Sequence, residues 1–332
     1  MDSERTGFDF AQKQDPSNAR EKIKFWLRQE GINLPVELGE RLMLLDTDRR
    51  VIGERKHYIE GRNASGEVIK KEIGTHLEHT TNLIEVLDIW LKFFPEAWVE
   101  KYRKKIIAAA TIHDIGKTGP ADANLEAQTA YSKLFSFYEP DKEMGKNFHN
   151  TTVLAAINKH ALPDEKEKMW ETLQTIGITE QTTMGEIFAG HLDNSYSILK
   201  NIPKFNPEII YLVASHHRGL HNYPYHITDQ QIEDLLIGKN KKRKSELNEA
   251  ATLIELADVF EARSNRGEQK DPVEIFPLML KTYEEKRGEI EEKLTDQTIS
   301  PAQKDVFIHQ RKFIAEAIQI INKMISFYPQ KE

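Results

Sequence analysis

The residues of this chain that could do chemistry are its histidines and a few aspartates set among apolar neighbours. Twelve histidines occur in 332 residues. His76, His79, Leu83, Leu87, Trp90 and Phe94 follow one another at steps of three and four, so both histidines share a helical face with core residues. Taken alone, such a pair reads as hydrogen-bonded groups at the edge of a core. The run Ile106-Ile107-Ala108-Ala109-Ala110-Thr111-Ile112 is small and apolar nearly all round, and it leads straight into His113-Asp114-Ile115-Gly116-Lys117. An ionised aspartate at that place is costly to bury unless it is paired or binds metal. A plain buried Asp–His pair is the alternative. Gly116 can end the helix and admit close backbone approach. Lys117 sets an ammonium just beyond the carboxylate, a placement suited to a phosphate.

Three more pieces have the same character. Ile187, His191, Ser195 and Ile198 share one helical face, which turns His191 inward. The apolar stretch Ile209–Ser215 ends in His216-His217. Neighbours on a helix lie about 100° apart, so this pair is expected to reach two adjacent metals rather than chelate one. Asp258 is boxed by Leu253, Ile254, Leu256, Ala257, Val259 and Phe260. A helical bundle can aim such residues at one interior point. Imidazole and carboxylate without sulfur suit iron, manganese or zinc and disfavour copper(I). Five histidines (79, 113, 191, 216, 217) and two aspartates (114, 258) exceed what one tetrahedral zinc needs. A dinuclear site with Asp114 bridging is the economical reading.

The elements that must position these groups are mostly helical by their apolar period. Helices are expected at 18–30, closed by Gly31, and at 35–46, 74–95, 99–116, 122–137, 150–160, 165–176, 183–201, 206–217, 229–236, 246–264, 273–295 and 301–327. Residues 51–72 break that pattern. Val51-Ile52-Gly53 and Gly66-Glu67-Val68-Ile69 are expected to flank a hairpin turn at Asn63-Ala64-Ser65-Gly66. The basic run Lys241-Lys242-Arg243-Lys244 reads as a solvated loop, with a phosphate-attracting rim as the alternative. The expected organisation is all-α, with a helical and hairpin extension over 1–73 packed on a catalytic domain over 74–332.

Composition narrows the function classes. With 53 acidic and 46 basic residues the formal charge is −7, which argues against a nucleic-acid-coating role, so no DNA partner is expected. The absence of cysteine removes disulfide scaffolds, thiolate zinc fingers, iron–sulfur clusters and cysteine nucleophiles together. The start Met1-Asp2-Ser3-Glu4-Arg5 lacks the build of a signal peptide, and no apolar run approaches the length of a membrane span. The expectation is a cytoplasmic protein without a membrane partner. A homodimer is compatible with it.

His79, His113-Asp114, His191, His216-His217 and Asp258, in that order, resemble the HD superfamily of metal-dependent phosphohydrolases. More narrowly, His113–Lys117 resembles the opening motif of the HD-GYP phosphodiesterases, and His216-His217 their paired histidines. The segment Asp258–Arg266 resembles the stretch carrying their last aspartate and a nearby arginine. The resemblance covers roughly residues 74–290. It implies an HD-domain helical bundle holding two divalent ions, iron or manganese, with His79, His113, Asp114, His191, His216, His217 and Asp258 as ligands. It also implies phosphodiester hydrolysis by a metal-activated hydroxide, on a cyclic dinucleotide or other nucleotide. Lys117 would hold a phosphate, and Arg218 and Arg266 are candidate further phosphate contacts. His221 and Tyr223 complete the candidate substrate-binding set, Tyr223 by stacking on a base or by packing. The chain departs from the family in three places. The family's glycine-tyrosine-proline segment is Asn222-Tyr223-Pro224 here, after a shortened stretch Arg218–His221. The interval from Asp114 to His191 is lengthened by extra helices over 121–182, expected to cap the site and set selectivity. Thr75 stands where some trinuclear members place a glutamate, with His76 as a substitute ligand for a third ion.

Two other readings use the same scaffold. One is a mixed-valence di-iron oxygenase of the inositol-oxygenase type. The adjacent His216-His217 pair favours the hydrolase over it. The other is a degenerate HD domain acting as a ligand receptor.

Overall fold

In the computed structural model the described residues are 16–45, 51–52, 55–56, 58–62, 68–72, 75–137, 148–217, 229–266 and 272–328. The apolar period at three and four becomes a succession of helices: α1 (Pro16–Gln29), α2 (Val36–Leu44), α3 (His76–Leu91), α4 (Glu96–Ile112), α5 (Leu125–Leu134), α6 (Val153–His160), α7 (Lys166–Gln174), α8 (Met184–Asn201), α9 (Pro207–Ser215), α10 (Asp229–Asp234), α11 (Lys241–Arg266), α12 (Pro272–Thr295) and α13 (Pro301–Phe327). The fold is an all-α bundle, and no described helix is long and apolar enough to cross a membrane. Side-chain caps set where several helices begin. Thr75 accepts from the Glu78 amide while Glu78 returns a bond to the Thr75 amide, and the same box recurs at Thr183/Glu186 and Ser300/Gln303. The first of these boxes fixes the register of α3 immediately before His76 and His79.

Two small antiparallel hairpins interrupt the helices. The strands β1 (Val51–Ile52) and β2 (Arg55–Lys56) pair with each other, as do β3 (Tyr58–Arg62) and β4 (Val68–Glu72). Arg62 faces Val68 across the expected turn, which itself lies outside the described residues. Val51 and Ile52 do not join that hairpin. They pair instead with Lys56 and Arg55, across the two intervening positions 53–54.

One large core joins α1–α4, α8, α9 and α11–α13, with Ile23, Leu38, Leu42, Leu83, Ile107, Val213, Leu253, Phe276 and Ile314 all buried in it. The residues of α4 from Ile106 to Ile112 are buried without exception, as their small apolar character requires. A second, smaller core belongs to the inserted helices. It gathers Tyr131, Leu134, Phe135 and Phe148 with Val153, Ile157, Leu173, Met184 and Ile187.

The basic run 241–244 is not a loop; it is the first turn of α11. Arg243 is held there by Glu208 at the start of α9, through Nε at 2.9 Å and Nη2 at 2.5 Å, and its guanidinium lies over the Tyr102 ring. The pairing draws the helix start back over residues whose local sequence is indifferent to structure, and Asn240 accepts from the Arg243 amide.

Candidate metal centre

Five elements deliver the polar groups. Helix α3 supplies His76 and His79, the end of α4 supplies His113 and Asp114, and α8 supplies His191. The turn after α9 supplies His216 and His217, and α11 supplies Asp258. His76, His79, His113, Asp114, His191 and His216 are buried, and Asp258 and His217 nearly so. Close backbone contact makes the convergence feasible. After His113 the chain tightens into a 3-10 turn, Ile115–Thr118, that lies against α8. A Cβ at Gly116 would stand 1.8 Å from the His191 carbonyl oxygen and 2.5 Å from the Ser195 nitrogen, so only glycine allows this approach. The Gly116 amide donates to Ser195 Oγ at 2.9 Å, Ser195 Oγ donates to the His113 carbonyl at 3.3 Å, and Asn194 donates to the Gly116 carbonyl at 3.3 Å.

The tautomers of four histidines are set by their outer partners. His113, His191 and His216 each direct Nδ1 at the carbonyl three residues earlier, Ala110 at 2.8 Å, Phe188 at 2.6 Å and Val213 at 2.6 Å. A carbonyl can only accept, so the proton is on Nδ1 and the Nε2 lone pair faces inward. His79 turns Nδ1 to the Glu261 carboxylate at 2.5 Å, and Asn82 holds the other Glu261 oxygen at 3.2 Å. This is the carboxylate–histidine arrangement that orients metal ligands. Inward, His79 Nε2 lies 3.0 Å from Asp258 Oδ1 and 3.3 Å from His113 Nε2. The buried Nε2 atoms of His191 and His216 have no hydrogen-bond partner among the described residues. Each orphaned polar atom costs about 1–3 kcal/mol in a closed interior. A purely structural cluster gains nothing from that, whereas a cation would satisfy both.

Charge is divided unevenly across the site. Burial pushes His191 down to about 4 and His216 down to about 3, and it lowers His113 as well, so these imidazoles are neutral ligands at ordinary pH. Burial also opposes charge on His79, but Glu261 and Asp258 outweigh it and raise that pKa. Burial works against ionised Asp114, yet the surrounding imidazoles and Lys117 hold it well below the usual carboxylate range, and His79 and His217 do the same for Asp258.

The ligand atoms fall into two groups, each with its members within 4.8 Å of one another: His79, His113 and Asp114 in one, His191, His216 and His217 in the other. Asp114 spans them, with Oδ2 at 3.4 Å from His113 Nε2 and Oδ1 at 3.8 Å from His191 Nε2. Asp258 likewise reaches from His79 to His217, the latter at 3.9 Å. The donor set could therefore hold a divalent ion at each group. His76 Nδ1 stands 4.0 Å from Asp114 Oδ2, beside the centre rather than within either group.

Two expectations change. The paired histidines lie at and just after the C-cap of α9, which ends at Ser215, rather than within the helix. Their rings lie 4.0 Å centroid to centroid, and both join His191 in one group. Lys117 is turned inward, its ammonium 2.5 Å from Asp114 Oδ2 and above the Phe135 ring, instead of reaching past the carboxylate. Arg218, His221 and Tyr223 lie outside the described residues, as does the side chain of Arg266.

Sequence reasoning missed Glu261, although its place one turn after Asp258 on the same face was a usable signal. It also missed Phe135, which no local signal marks. That residue belongs to the inserted core, but its ring also meets His76 and His191 edge-on, with centroids 6.3 and 6.5 Å apart. The insert thus forms an apolar wall of the centre. No protein-family model, curated protein or solved structure matches the chain.

Proposed function

We propose that the chain is a metal-dependent phosphohydrolase of the HD kind, cytoplasmic, cleaving a phosphodiester in a cyclic dinucleotide or another nucleotide. The observation that carries this reading is the pair of buried Nε2 atoms on His191 and His216 that lack a hydrogen-bond partner among the described residues, in a ligand group next to that of His79, His113 and Asp114. His79, His113, Asp114 and Asp258 would hold one ion, and His191, His216 and His217 the other, with Asp114 shared. Iron or manganese held there would supply an activated water and charge stabilisation at phosphorus. The chain's own contribution is to fix the imidazole tautomers through carbonyls and Glu261, to keep the carboxylates ionised, and to exclude water on the Phe135 side. Lys117, whose ammonium lies beside Asp114, would offer a cation to a phosphate oxygen. The adjacent His216-His217 pair favours hydrolysis over oxygenase chemistry on the same scaffold.

The test is a panel of cyclic and linear dinucleotides and bis(p-nitrophenyl) phosphate, incubated with protein loaded anaerobically with Fe(II) or Mn(II). Hydrolysis that disappears in Asp114→Ala is expected. Oxygen uptake by the di-iron form without phosphoester cleavage would overturn the reading in favour of an oxygenase. Metal-loaded protein that binds a nucleotide without cleaving it would do so in favour of a receptor.

A further inference from the structure

We infer that helix α2 is a working part of the metal centre and that Arg41 is the positioning residue for the turn carrying Asp114 and Lys117, an inference that rests on the metal-site reading above. Arg41 is buried, yet its hydrogen bonds run to a hydroxyl and to backbone carbonyls. Nη1 donates to Thr118 Oγ1 at 2.9 Å and to the Gly119 carbonyl at 3.5 Å. Nη2 donates to the carbonyls of Pro120 and Ala121 at 3.0 and 2.9 Å. Burial lowers its pKa, the effect expected of a cation taken out of water with Asp122 as its nearest compensating charge.

The need is mutual. Gly119 takes φ of +88°, and the bend it makes brings three successive carbonyls to face one point. Gly119 is buried and Pro120 and Ala121 are half-buried, and carbonyls turned from water in that way call for donors. Guanidinium is the side chain that offers several donors in one plane, and lysine would reach only part of the set. The clamp continues toward the centre. Thr118 Oγ1 donates to the Ile115 carbonyl at 2.7 Å, and the Lys117 amide donates to the Asp114 carbonyl at 2.9 Å. The relay from Arg41 through Thr118 therefore ends at Ile115, one residue from the carboxylate that spans both ligand groups. On the other flank the same turn is held by Ser195 and Asn194 of α8. Helix α2 itself is seated by Leu38 and Leu42, both buried in the main core. The turn is thus gripped from two sides, and the N-terminal grip comes from a segment that contributes no ligand.

The experiment is a Mn(II) titration, followed by the loss of the free-ion paramagnetic resonance signal, on wild type, Arg41→Met, Arg41→Lys and Arg103→Met. The last is a control: Arg103 ties α4 to Glu30 and Asp88, away from the turn. Arg41→Met should weaken Mn(II) binding about tenfold or more, the usual scale for a lost outer support of a metal ligand. Arg41→Lys should lie between it and wild type, and Arg103→Met should lower Tm while leaving Mn(II) affinity alone. Wild-type affinity in both Arg41 variants, or in Arg41→Lys if Arg41→Met does not fold, overturns the inference. So does an equal loss in Arg103→Met, which would make the effect general destabilisation. A wild type that takes no Mn(II) refutes the metal reading itself, and the inference with it.

Discussion

Helix α9 carries a buried polar cluster at each end, and the two clusters are built on opposite principles. At its start, Glu208 is buried and its carboxylate is fully engaged, by Arg243 through two nitrogens, by Lys239 at 3.5 Å and by Lys105 at 3.6 Å. Arg243 is in turn bonded to Tyr102, whose hydroxyl donates to Glu246. Every group there has found a protein partner, so the cluster closes on itself and ties α9 to α4 and α11. At the other end, His216 is as deeply buried, but its inner nitrogen has none among the described residues. Burial of polar groups is common to both ends. Completeness of pairing separates them, and the His216 end keeps a buried nitrogen without a hydrogen bond.

That contrast can be broken at several points, and the largest effect is expected where backbone meets backbone. Gly116→Ala forces a methyl into the His191 carbonyl and the Ser195 amide, neither of which can swing away. It should cost on the order of 4 kcal/mol or more in urea unfolding and abolish metal uptake. A fully stable Gly116→Ala protein would mean that the turn and α8 are not locked together.

The sharper comparison uses one substitution at each end of α9. Glu208→Ala strands Arg243 and its neighbours and should cost about 2 kcal/mol whether or not metal is present, less than a fully buried pair because the lysines reach water. His216→Leu removes the unpaired Nε2 together with the single Nδ1 bond to the Val213 carbonyl, and puts an apolar group of similar size in their place. Thermal scans should find the metal-free protein within about 1 kcal/mol of wild type, while the stabilisation by added Mn(II) is lost. If His216→Leu destabilises the metal-free protein as much as Glu208→Ala does, the two clusters are alike and both are structural.

A smaller effect is expected from pH in the metal-free protein. Burial pushes His191 down to about 4 and His216 down to about 3, from an ordinary value of 6.5. Below pH 6.5 the unfolded chain takes up protons on these rings that the folded chain refuses. Stability therefore falls as pH drops from 6.5 toward those values, by up to about 1.4 kcal/mol per pH unit for each ring. His79, whose pKa is raised, works in the opposite direction and loses its contribution as pH rises. Urea midpoints at pH 7 and pH 5 should show the acid loss, and His216→Leu should flatten it. An unchanged slope in that variant would contradict the assignment of a neutral, buried imidazole.

How much of this was legible in the sequence depends on the range over which each residue acts. The helices were, because apolar spacing is a local signal and caps such as Thr75/Glu78 and Ser300/Gln303 sit within one turn. The inward histidines and Asp258 were, because a polar group on an apolar stripe betrays itself. Arg243 was misread because its partner Glu208 stands 35 positions away. Phe135 and Arg41 were passed over for the same reason; the contacts of Arg41 lie 77 to 80 residues along the chain. The grouping of His216 and His217 with His191 was missed because His191 stands on another helix, α8, far back along the chain.

The central claim is that the incomplete cluster is completed by metal. Its most direct test is metal content per chain by elemental analysis, on protein prepared without oxygen, with Asp114→Ala alongside. Two iron or manganese ions per chain, lost in the variant, is the predicted result. A wild type that is metal-free and takes up neither ion on reconstitution would contradict it, and the histidine cluster would then stand with Glu208 as a structural feature.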